Sequence, residues 1–433
     1  MSFPSSFPSR TAFAPWVLAA LAACGVVQAA EPPADSVAPP AFAGASLPDG
    51  PPLDLQQALA LALDGNPGLR AARQALAATE GAVLQSQARP NPELAWSQED
   101  TRRSTRTLTV QLNQTLEVGG KREARMRVAE RGRDLARAEL AGTEAALRAD
   151  VGAAFFGVLA AQQRVVLAGQ TLEIASSARE AAARRVAAGK VAPLEETRAR
   201  VAESGALLEQ ARARSALRVA RGQLQALWGE SVRPFGQAEG AVDALPQLPE
   251  LAALQQRIEQ APAVLRARQA LEQSRATAEL ERARRLPDPT VSLGVKRATE
   301  VGRNQLVVGV SVPLPVLDSN RGNQLQALRL ADQAEEQLLA TRVQLQAQLF
   351  EARELLQSSR EQARQLAEEV LPTARTAYEL ASRGFALGKF AYLDVLDAQR
   401  TWSEARSQYL DQLLATHRAA ADIDRLLGTE AGL

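Results

Sequence analysis

Few side chains in this 433-residue chain are placed to do chemistry, and the clearest are two carboxylates. Asp394 and Asp397 stand three apart in a helical run, so they share a face. On one chain such a pair is an ordinary solvated helix face. Repeated around an axis it becomes a ring of negative charge that draws cations and holds anions out. His417 is the only histidine, and Met126 the only methionine after Met1. A metal-selective site needs several such ligands at ligand spacing, so neither a metal site nor a cofactor is expected. Gly119-Gly120-Lys121 lacks the rest of a phosphate-loop pattern and reads as a bend between a strand and a helix. With no Ser-His-Asp arrangement that sequence can certify, the chain is not expected to be an enzyme.

What must position these residues is a chain that repeats itself. Ala72-Arg73-Gln74-Ala75-Leu76 returns as Ala267-Arg268-Gln269-Ala270-Leu271, Pro90-Asn91-Pro92 as Pro287-Asp288-Pro289, and Gly189-Lys190 as Gly388-Lys389. The repeats are placed at 53–230 and 249–428, joined by a connection at 231–248 and followed by a tail at 429–433. Each reads as helix, paired strands, longer helix, helix. Lys121 to about Val186 carries no proline, and Ala136, Leu140, Thr143, Leu147, Val151, Phe155 and Val158 recur at threes and fours. The second long helix is expected from Asn320 to about Phe385 with a break at Pro372. Shorter partners are expected at about Pro67–Arg89 and Leu194–Leu227. The fold class is therefore mainly α, with coiled-coil-like hairpins and four strands.

The strands carry the cleanest alternation. Leu108, Val110 and Leu112 alternate with polar residues, as do Leu94 and Trp96, Val291, Leu293 and Val295, and Leu306, Val308 and Val310. Strands of about 9 to 11 residues, apolar on one side only, have the pattern of outer-membrane barrel strands; a solvated sheet on a soluble protein has it too. In the first reading Leu108, Val110, Leu112, Val308 and Val310 face lipid. Four strands cannot close around a pore, and three copies would supply twelve.

The N-terminus explains how such a chain would reach a membrane. Basic Arg10, an apolar stretch from Ala12 to Cys24 and small residues beyond make residues 1–30 a secretory signal. Cys24 is the only cysteine, which excludes an internal disulfide. Its setting, Leu21-Ala22-Ala23-Cys24-Gly25, resembles a lipoprotein box with Cys24 as the lipidated residue; an ordinary cut near Val27-Gln28-Ala29 fits equally. Residues 31–52 form a Pro/Ala-rich linker. No later run of about 18 apolar residues is present, so no membrane-spanning helix is expected. Fifty basic against forty-nine acidic side chains argue against nucleic acid as a partner.

The duplicated order, the run Gln114-Thr115-Leu116-Glu117-Val118-Gly119-Gly120-Lys121-Arg122 and the run from Gly388-Lys389 to Leu393-Asp394-Val395-Leu396-Asp397-Ala398-Gln399 resemble the outer-membrane efflux (TolC-like) family. The first run is most similar to the CzcC-type branch, which serves heavy-metal exporters of the resistance-nodulation-division class. The resemblance implies a homotrimer with a twelve-stranded barrel and a periplasmic helical tube, docked on a periplasmic adaptor and an inner-membrane pump. It also implies that Gly189, Lys190, Leu194, Gly388, Lys389 and Leu393 mark the adaptor-docking tips. Asp394 and Asp397, with Glu195 in the first repeat, would line the periplasmic gate. Arg198 stands where a second carboxylate would fall, so the mouth is only pseudo-six-fold. Two alternatives remain: the same channel serving drug or protein export, and a periplasmic coiled-coil adaptor or scaffold.

Overall fold

A computed structural model describes residues 50–229 and 234–429. The signal, Cys24, most of the linker and nearly all of the tail lie outside them. The first half runs α1 (Leu55–Gly65), α2 (Pro67–Gln87), β1 (Glu93–Glu99), β2 (Thr107–Thr115), α3 (Lys121–Ala187) and α4 (Pro193–Ala226). The second half runs α5 (Leu251–Arg257), α6 (Pro262–Ala283), β3 (Thr290–Ala298), β4 (Arg303–Ser311), α7 (Arg321–Gln365), α8 (Leu371–Ala386) and α9 (Tyr392–Leu427). At 67 residues, α3 is about 100 Å long. Its counterpart is broken where Pro372 falls in the first turn of α8: the proline has no N–H to give the preceding turn, and a π turn at Leu366–Val370 takes up the mismatch. Strand β1, at seven residues, is shorter than expected.

Helix α1 was not anticipated, yet its start is capped on both sides. Gln57 N–H donates to Asp54 Oδ1 at 2.7 Å, and Asp54 N–H donates back to Gln57 Oε1 at 3.3 Å. Pro67 then ends it by forcing a new helix to begin.

The long helices pack by a seven-residue repeat of small side chains. Ala168, Ala175 and Ala182 on α3, Ala199, Ala206 and Ala213 on α4, and Ala374 and Ala381 on α8 are all buried. Alanine at a heptad seam lets backbones approach closely and gives a wall one helix thick. Arg179 on α3 pairs with Glu203 on α4 at 2.7 Å, and Arg164 pairs with Asp411 on α9. Near the middle of α3 the core thickens around Val151, Phe155, Phe156 and Val158, joined by Leu224 and Trp228.

The connection between repeats is part of that core. Phe235, Ala238 and Val242 are buried, Arg221 Nη2 donates to the Gly236 carbonyl at 2.5 Å, and the Gln162 amide makes both bonds to the Ala238 backbone. One expectation is corrected here: α3 does contain a stretch apolar enough by length and composition to cross a membrane. Half of that stretch is buried within the subunit, so its apolarity belongs to the bundle core.

His417 is a packing residue. Its ring stacks on Phe156 with centroids 3.7 Å apart, and Nε2 lies 2.8 Å from the Val242 carbonyl oxygen. Burial disfavours the imidazolium and lowers the pKa, opposed in part by the Val242 carbonyl. The unfolded chain therefore takes up this proton first. The stability it carries is present above about pH 6.5 and is lost as pH falls below, by at most about 1.4 kcal/mol per pH unit. We expect the melting temperature of the purified protein to fall between about pH 7 and 5, and His417→Gln to flatten that slope; an unchanged slope would show that other groups set it.

Candidate functional site: the sheet and the hairpin tips

The four strands form one antiparallel sheet in the order β1-β2-β3-β4. Its register sorts side chains by polarity row by row. Leu94, Leu112, Leu293 and Val308 lie side by side, and so do Trp96, Val110, Val295 and Leu306. These eight are exposed on one face. The intervening rows point the other way: Ser97-Thr109-Lys296-Gln305 is polar, and Ala95-Gln111-Gly294-Val307 is small and mixed. Val310 continues the apolar face beside Val291. Leu108, half-buried, sits at its end farthest from the helices, in a row with Gln98, Arg297 and Asn304.

The strand-to-helix handover is built by residues that sequence reading had only in part. Gly119 and Gly120 both take positive φ, and a Cβ on Gly119 would come within 2.6 Å of the Leu286 side chain. Asp288, inside the second Pro-x-Pro, accepts the Val118 N–H at 2.9 Å and pairs with Lys121 at 2.8 Å. The first residues of the longest helix are thus clamped by the other repeat. In the second repeat Asn320 takes the left-handed conformation, φ 57°, and its amide bonds Glu281.

At the opposite end the hairpins turn at Gly189 and Gly388, with φ of 67° and 73°. Both turns use paired bonds across the helix end: Gly189 N–H to Val186 O and Lys190 N–H to Arg185 O, both 2.9 Å, and Gly388 N–H to Phe385 O at 3.0 Å with Lys389 N–H to Gly384 O at 2.8 Å. Lys190, Lys389, Leu194 and Leu393 are exposed around them. The two tips are tied together by Arg185, whose guanidinium lies 4.0 Å from the Phe385 ring centroid and donates to the Phe385 and Ala386 carbonyls at 2.8 and 3.2 Å.

Asp394 and Asp397 are both exposed on the first turns of α9. Asp394 also closes its own helix, accepting the Ala391 N–H at 2.9 Å. The Asp397 carboxylate makes no hydrogen bond or ion pair among the described residues. Glu195 is partly neutralised by Arg198 at 3.8 Å. Beneath them Tyr392 is buried between the hairpins with an unpartnered hydroxyl, its pKa pushed up to about 12 by burial, then by Glu195 and Tyr378.

A sheet with one exposed apolar face, carried on a helical stalk about 100 Å long, has the form of a membrane-anchored channel wall. The outer membrane efflux protein family matches residues 58–230 and 253–429, and the chain belongs to it. It is 49% identical over 377 residues to CzcC, the cobalt-zinc-cadmium resistance protein of Cupriavidus metallidurans, covering 87% of this chain and 90% of that one. CnrC, the nickel and cobalt resistance protein of the same organism, is 30% identical over 67% of this chain and 69% of its own length. The solved channel CusC shares the fold, with a TM-score of 0.75 over 87% of this chain and 92% of CusC at 20% identity. The chain is thus an outer-membrane efflux channel subunit, with its strands in the membrane and its helices in the periplasm.

Proposed function

We propose that three copies of this chain close their sheets into a twelve-stranded barrel and serve as the passive outer conduit of a tripartite efflux machine. Leu108, Val110, Leu112, Val308 and Val310 then face lipid, with Leu108 at the outer rim. The observation that carries this reading is the pair of open edges on β1 and β4. Unpaired backbone groups cannot be left in hydrocarbon, so the edges must find one another between subunits. A coiled-coil adaptor or scaffold would have no use for such a sheet.

The tips around Gly189-Lys190 and Gly388-Lys389, with Leu194 and Leu393, dock on a periplasmic adaptor and through it on an inner-membrane pump of the resistance-nodulation-division class. Asp394 and Asp397 from three subunits form the acidic gate, with Glu195 contributing more weakly because Arg198 offsets it. The names of CzcC and CnrC support heavy-metal cations as the substrate. With no ligand cluster among the described residues, the metal is chosen elsewhere and the conduit supplies the path. We expect that deleting the gene for this chain, with its neighbours intact, lowers tolerance to cobalt, zinc and cadmium and spares tolerance to antibiotics. Loss of antibiotic tolerance alone would favour the drug-export reading.

A further inference from the structure

The end of the sheet farthest from the helices is strongly basic. Two segments meet there, residues 99–106 and 296–303, holding Arg102, Arg103, Arg106, Lys296, Arg297 and Arg303 against Glu99, Asp100 and Glu300. The acidic groups are largely spent. Glu99 pairs with Lys296 at 3.6 Å, and the Asp100 carboxylate is turned into its own loop, accepting the Arg102 N–H at 3.0 Å and the Thr105 hydroxyl. The five arginines make no ion pair among the described residues, and all are exposed.

This basic end is ordered. Asp100 takes φ 64° and organises the first hairpin. The Arg106 carbonyl accepts both the Thr299 N–H, at 3.0 Å, and its hydroxyl, at 2.8 Å, which locks the two hairpins together.

The register sets its depth. On β4 the apolar alternation starts just below Asn304 at Leu306 and runs through Val308 and Val310 to the end of the strand at Ser311, and Val312 and Leu314 continue it in the segment that leads to α7. The ten steps from Asn304 to Leu314, at about 3.3 Å each and tilted by about 40°, rise about 25 Å, the height of the apolar band on such barrels. Arg297, which shares the Asn304 row on the apolar face, then lies at the outer headgroup plane. Arg102 and Arg103 sit in the hairpin just above.

We propose that Arg297, Arg102 and Arg103 bind the phosphate groups of the phosphorylated glycolipid that forms the outer leaflet of this membrane. Guanidinium forks suit phosphate bidentately, and an arginine at the outer headgroup plane meets anionic lipid there before it meets solute. The inference rests on the apolar face meeting hydrocarbon. It deepens that reading by naming the lipid at its rim.

The test uses the full-length protein in phosphatidylcholine micelles seeded with labelled lipid A, captured by an affinity tag. Wild type should retain lipid A on the order of tenfold better than the triple variant Arg102→Gln, Arg103→Gln, Arg297→Gln, and Arg297→Gln alone should lose part of it. Dephosphorylated lipid A should compete poorly, and millimolar inorganic phosphate should not strip the lipid. Equal retention by wild type and triple variant overturns the proposal, as does displacement by inorganic phosphate, which would mean a general anion surface. Insertion of each protein into phosphatidylcholine vesicles is scored alongside. Insertion without lipid A preference sinks this proposal alone, whereas failure of wild type to insert sinks the barrel reading beneath it.

Discussion

Arginine at Leu112 is expected to abolish delivery of assembled channel to the outer membrane, while arginine at the adjacent Gln111 leaves it intact. Leu112 lies in the row Leu94-Leu112-Leu293-Val308, two rows in from Arg297 and near the middle of the exposed apolar face. A charge there costs about 2 to 4 kcal/mol per copy at mid-bilayer, hence about 6 to 12 kcal/mol for a trimer. Gln111 points to the polar face, beside Ala95 and Gly294, where an arginine keeps water contact. The readout is the amount of each variant that resists extraction from outer-membrane fractions. Equal amounts of both would mean that this face does not meet lipid.

The second large effect concerns the mouth. In planar bilayers, divalent cations added from the helical side should block wild-type current if, as we propose, three subunits bring six carboxylates to one constriction. The double change Asp394→Asn with Asp397→Asn should weaken that block at least about tenfold, the equivalent of about 1.4 kcal/mol. It should leave assembly alone: asparagine at 394 can still accept the Ala391 N–H, and the Asp397 carboxylate has no partner among the described residues to lose. The Glu195→Gln change should do less, since Arg198 already offsets that charge. A double variant blocked as strongly as wild type would return these residues to an ordinary solvated face.

The elements that could be read in the sequence were those governed by local rules. A proline-free stretch with helical period placed α3 to within a residue at each end, and alternation located all four strands because one face had to be apolar throughout. Pro372 announced the break that the π turn absorbs. What stayed hidden depends on contacts between distant parts of the chain. Nothing local to Asp288 says that it grips Val118 and Lys121 of the other repeat, nor does Arg185 advertise the carbonyls of Phe385 and Ala386 two hundred residues away.

Two further features of the core were not announced by the sequence. The segment 231–248 was read only as a connection between repeats, yet its Phe235, Ala238 and Val242 are buried in irregular backbone held by Gln162 and Arg221. The apolar stretch of α3 is core to the bundle, where helices on two sides replace lipid as its apolar surroundings. What only the structure displays is that Asp394, the carboxylate we propose for the gate, also caps the helix that presents it.

The central claim is that this chain works only as a closed assembly, because its sheet is a third of a barrel with two open edges. Native mass measurement of the mature protein extracted from outer membranes in mild detergent tests it most directly. The account predicts a species of three times the mass of the mature chain, with no stable monomer that still holds lipid. A monodisperse, lipid-bound monomer would contradict it.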